Sequence, residues 1–117
     1  MDQYLLLLRE DPSQYAHLSP TDMQAVIERY RQWSNRMAAE GRIAGGHKLT
    51  DDGGKRVRAG RDGQALVTDG PFAEAKDVVG GLFVINAESY EDAVRIAASC
   101  PHVHGDNVVE VRRIEPT

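Results

Sequence analysis

Apolar residues crowd positions 5–8 of "QYLLLLR" (3–9) without alternation, so both sides of an extended chain are hydrophobic there and the segment reads as a central strand. "DPSQYAHL" is a turn-rich loop. Ser19 then offers a side-chain cap, Pro20 suits the first helical position, and Asp22 suits the positive first turn. Met23, Val26, Ile27, Tyr30, Trp33 and Met37 follow at helical spacing and predict one buried stripe, which Gly41 ends. "RIAGGHKL" (42–49) is a second strand. "KRVRAG" and "QALVT" flank Asp62-Gly63, which predicts a hairpin closed by a tight two-residue turn. Residues 78–85 are again apolar on both faces and predict a second central strand. Ser89 caps a second helix whose inward stripe is Tyr90, Ala93, Val94 and Ala97, Pro101 limits it, and "NVVEVRRI" (107–114) is a half-polar closing strand.

The order β-α-β, hairpin, β-α-β is that of an α+β, ferredoxin-like split unit with both helices on one sheet face and a hairpin added. Two central strands that are apolar on both sides need cover on the other face, and no third long helix supplies it. A second copy would, stacking two sheets into a dimeric α/β barrel, so a homodimer is expected.

Composition narrows the picture. The 117 residues form a single domain, 1–117, able to bury a core without staples. One cysteine, Cys100, excludes an internal disulfide, and no charged-then-apolar leader opens the chain, so a cytoplasmic address is expected. "YLLLL" is too short to span a bilayer. With 14 basic against 18 acidic residues, the net charge of −4 argues against nucleic acid as the main partner.

"DGPFAEAK", "GGLFVI", "SYEDAVRIAASCP" and "VVEVRRIEP" occur in order, and the chain resembles the DGPF branch of the YCII-related family over nearly its whole length. The resemblance implies a small, usually dimeric bacterial protein with a cleft between sheet and partner. Wider relatives include a dehydrochlorinase acting on a chlorinated hydroxylated aromatic, and proposed enzymes with a His and Asp pair whose His lies on the first helix. Here "TDMQAVIERYRQWSNRMAAEGR" holds no His. Members of the branch also sit beside, or fused to, extracytoplasmic-function sigma factors.

Several residues could carry chemistry. His47 alternates with Ile43, Gly45 and Leu49, which predicts a ring facing an interior surface, either as a general base or as a bonded core imidazole. Asp69 could orient that ring or hold its own turn. Glu74 and Lys76 could touch a ligand or pair in solvent, and Arg112, on a face with Val108, Glu110 and Ile114, could fork a carboxylate or pair across a dimer contact. Trp33 reads as core. His102, His104 and Asp106 read as a wet loop without a closed metal shell, so no metal is expected, nor any cofactor. Cys100 ends a helix, where the local field disfavours a thiolate, and reads as packing. Three functions follow: a small-molecule lyase or isomerase with His47 as base, Asp69 orienting it and Glu74, Lys76 or Arg112 contacting the ligand; a non-catalytic ligand-sensing or accessory module tied to a sigma factor; or a structural dimer with no small ligand.

Overall fold

The computed structural model describes residues 1–70 and 77–117. Among them run β1 (Asp2–Glu10), a 3-10 turn (Pro12–Tyr15), α1 (Pro20–Ala39), β2 (Ile43–Lys48), β3 (Lys55–Ala59), β4 (Ala65–Asp69), β5 (Val78–Ala87), α2 (Tyr90–Ala98) and β6 (Val108–Arg113). Strands β2-β5-β1-β6 make a four-stranded antiparallel sheet with β5 and β1 at its centre, where their apolar runs place them. Among the described residues, strands β3 and β4 pair only with each other. Residues 71–76, which include the expected Pro71 bend, Glu74 and Lys76, lie outside the described residues.

One sheet face carries the core. Tyr4, Leu6 and Leu8 of β1 and Ile85 and Ala87 of β5 point to it, and Trp33, Met37, Ala93, Ile96 and Ala97 come down from the two helices. Alternation sends Leu5, Leu7, Leu82 and Val84 to the opposite face, where they remain half-buried. Both helix starts follow capping logic: Ser19 Oγ accepts from the Asp22 amide, and Ser89 Oγ from the Asp92 amide, each at 3.1 Å.

Four sequence expectations need correction. The inward stripe of α2 is Asp92, Ala93, Ile96 and Ala97, whereas Tyr90 and Val94 are exposed, because the helix rotates to seat the Asp92 carboxylate on the Glu88 amide and Arg42. In α1 only Trp33 and Met37 are buried; Met23, Val26 and Tyr30 are half-buried and Ile27 is exposed, so its first half stands off the sheet. The β3-β4 connection is a longer loop over 60–64, in which the Gly60 amide donates to the Gln64 carbonyl at 2.7 Å and Gly63 alone takes a positive φ, 79°. The segment after β1 contains a 3-10 turn capped by Asp11, not only loop.

Candidate functional site

The inward alternation of β1 runs Tyr4, Leu6, Leu8 and then one step further to Glu10, which is 7% exposed. A carboxylate therefore ends the apolar stripe. It fits because β5 bulges opposite: the pairing shifts between Leu8 and Arg9, leaving Gly80 out of register, and a Cβ at Gly80 would collide with the Glu10 carboxylate. Past β1, Asp11 Oδ1 accepts from the Ser13 amide at 2.9 Å and folds the 3-10 turn. The turn brings Gln14 within 3.4 Å of Glu10 Oε2 and Tyr15 into contact with Glu10 and Tyr30.

His102 completes the group. It is 1% exposed, so the expectation of a wet loop is overturned for this residue, while His104 and Asp106 are indeed exposed. His102 Nε2 lies 2.9 Å from the Arg9 carbonyl, which can only accept, so Nε2 carries the hydrogen. In the neutral ring Nδ1 then accepts from the Tyr30 hydroxyl at 2.8 Å. Burial, the Glu10 carboxylate and Tyr30 raise the Tyr15 phenol far above its usual range, and burial first, then the charge of Cys100, pushes Tyr30 up to about 12. Both phenols keep their protons at neutral pH and remain hydrogen-bond donors.

These four side chains meet at one end of a cavity of about 370 Å³ between the first half of α1 and the sheet. Leu8, Met23, Val26, Ile27 and Phe83 supply its apolar walls. The space exists because the strands beneath carry glycines: a Cβ at Gly46 would run into the Phe83 ring, which leans edge-on against Trp33 with centroids 5.1 Å apart. Gly81 keeps the floor low beside Leu8. A second, open cleft of about 690 Å³ shares Glu10 and Gly80 and is bordered by Arg9, Arg56 and Asp77.

The residues singled out by sequence lie elsewhere or at the rim. A bulge at Ala44 interrupts β2, so that Ile43 packs on the core but Gly45 and His47 fall opposite Val84 and Leu82 on the open face. His47 is exposed there, because the bulge reverses the alternation on which an interior ring was expected. Its strand segment borders the cavity mouth. Asp69 is bonded to Lys55 Nζ at 2.5 Å, not to His47. Arg112 is exposed on the open face opposite Leu5, 3.7 Å from Glu110, which also meets Arg9 at 3.5 Å. Glu74 and Lys76 lie outside the described residues. Trp33 and Cys100 are core, and burial raises the Cys100 thiol. Sequence reasoning passes over Glu10 and Tyr15, reads His102 as part of a wet loop and takes Tyr30 for packing; only Glu10 leaves a signal, the period-2 step beyond Leu8.

The fold and cavity define a small α+β protein with one polar cluster set into an apolar pocket. The model of the YCII-related domain matches residues 3–117, and the chain belongs to that family. No curated protein matches the sequence. Among the described residues no helix is long and apolar enough to cross a membrane, and no three His, Cys, Asp or Glu side chains gather as a metal site.

Proposed function

We propose that the chain binds a small molecule with an apolar body and a hydroxyl or carbonyl end in the cavity between α1 and the sheet, and moves protons on it in lyase or isomerase chemistry. The observation that carries this is the convergence of Glu10, Tyr15, Tyr30 and His102 on one end of an otherwise apolar pocket. The Glu10 carboxylate disfavours an anion at that end and suits a hydroxyl or an acidic C–H. Tyr15, held protonated, can donate to a carbonyl oxygen as charge develops on it, and Tyr30, whose hydrogen goes to His102 Nδ1, can accept from a ligand hydroxyl. His102, anchored by the Arg9 carbonyl, holds the Tyr30 hydroxyl in place. In this arrangement Glu10 is the base, Tyr15 the donor and Tyr30 the acceptor for a ligand hydroxyl.

His47 keeps a proposed place at the outer rim, on a face that a second copy would cover. The half-buried Leu5, Leu7, Leu82 and Val84 on that face support a dimeric, ferredoxin-like barrel, with Arg112 and Glu110 at its contact. Fragment binding followed by NMR tests the pocket: small cyclic ketones and alcohols should shift the amides of Gly46, Gly81 and Phe83, and Glu10→Gln should abolish any turnover while leaving binding measurable. Fragments that bind equally well to Tyr30→Phe and shift only open-face amides would refute the pocket. Binding without turnover of any ligand is the outcome that the ligand-sensing alternative predicts.

A further inference from the structure

Two spaces of opposite character meet at one side chain. The cavity between α1 and the sheet has apolar walls, whereas the open cleft is bordered by Arg9, Asp51, Asp52, Arg56 and Asp77. Among the described lining residues the two share only Glu10 and Gly80. Gly80 has no side chain, so the partition between them is the Glu10 carboxylate lying over the Gly80 backbone, with Oε1 where a Cβ at Gly80 would stand. The other oxygen is tied back from the turn side. Gln14 Nε2 reaches Glu10 Oε2 at 3.4 Å and is itself held by the Asp11 carbonyl at 3.1 Å and by Asn107 Oδ1 at 2.9 Å. The cleft opens to solvent: Asp77, paired with Arg9 at 3.0 Å, has 70% of its side chain exposed, and Asp51, Asp52 and Arg56 are exposed beside it.

A base facing only a dry cavity hands any proton it takes back to the same ligand. A base that also borders solvent can trade that proton for another through one water. We infer that Glu10 works from both sides, with the open cleft as its proton port, and that the site exchanges the hydrogens beside the carbonyl of an enolisable ketone with solvent while the ketone stays bound. The inference rests on the pocket and base proposed above and adds the substrate class and the route of the proton. In the step, a C–H bond next to the carbonyl breaks and its electron pair forms the C=C bond of an enolate. The carbonyl π pair moves onto oxygen, to which the Tyr15 hydroxyl donates, and the proton goes to Glu10. Glu10 passes it to water in the cleft, takes another from water and returns that one to the same carbon. The cycle consumes nothing and needs no leaving group.

Cyclohexanone in D2O is the probe. Proton NMR follows loss of the hydrogens flanking its carbonyl, and the amide shifts of Gly46, Gly81 and Phe83 record binding in parallel. Wild type should exchange those hydrogens at least about 100-fold faster than Glu10→Gln, the usual worth of a positioned base. Gly80→Ala adds a methyl that displaces the carboxylate from the partition without changing its charge, and should slow exchange by about 10-fold or more while cyclohexanone still shifts the cavity amides. Emission of the single, buried Trp33 reports whether that variant keeps the fold. Should it fail to, Glu10→Asp decides instead: it keeps the charge, draws it back from Gly80 by one methylene and should slow exchange likewise. Cyclohexanone that shifts the cavity amides but exchanges no faster than in Glu10→Gln overturns the inference and leaves the pocket standing. Exchange as fast in the displaced-carboxylate variant as in wild type overturns the port. Cyclohexanone that leaves the cavity amides unmoved refutes the pocket, and the inference with it.

Discussion

A buried imidazole with both nitrogens bonded, His102, sets the geometry of the polar cluster. Tyr30→Phe leaves Nδ1 of that ring without a partner and should cost on the order of 1 to 3 kcal/mol, measured by denaturant unfolding. The same phenol makes stability depend on alkaline pH. Its folded value of about 12 lies above the unfolded value near 10, so its contribution is complete below pH 10 and is lost as pH rises toward 12. Wild type should therefore lose stability more steeply than Tyr30→Phe over that interval, and parallel slopes would contradict the burial of this hydroxyl. At this scale the sequence was least legible. A histidine four residues past a helix and two before another histidine looks solvated; only the packing of Arg9 and Tyr30 around it, from 93 and 72 residues away, makes it interior.

Strand and helix positions were readable because apolar runs and caps are local signals, whereas the two bulges were not. Ala44 and Gly80 each break an alternation, one turning His47 to the open face and the other admitting Glu10 beneath β5. The capped start of α2 shows a third device. The Glu88 amide, then Arg42 and Arg95, hold the Asp92 carboxyl below its usual range, tying the helix to the chain just ahead of β2. That stabilisation is present above the unfolded carboxyl range and is lost as pH falls through the lowered folded value. Asp92→Asn should accordingly flatten the acid limb of a stability profile, and an unchanged limb would place the acid sensitivity elsewhere. Gly46→Ala tests the glycine floor. The added methyl meets the Phe83 ring, so it should destabilise by roughly 1 to 3 kcal/mol and shrink the cavity.

At the scale of the molecule, a helix layer on one face of a sheet leaves the other face open, and that asymmetry was legible in two strands apolar on both sides. The cavity was not, because helical spacing in α1 predicts a continuous stripe and cannot show that glycines two strands away withdraw the surface it would pack on. The central claim is that this cavity, and not the open face, is where a ligand binds. The direct measurement is amide NMR of the wild type and Tyr30→Phe titrated with the cyclic alcohol that binds best. The cavity predicts shifts clustered at Gly46, Gly81 and Phe83 with affinity at least about 10-fold weaker in the variant, the value of one lost hydrogen bond. Shifts clustered at Leu5, His47 and Leu82 with affinity unchanged in Tyr30→Phe would contradict it.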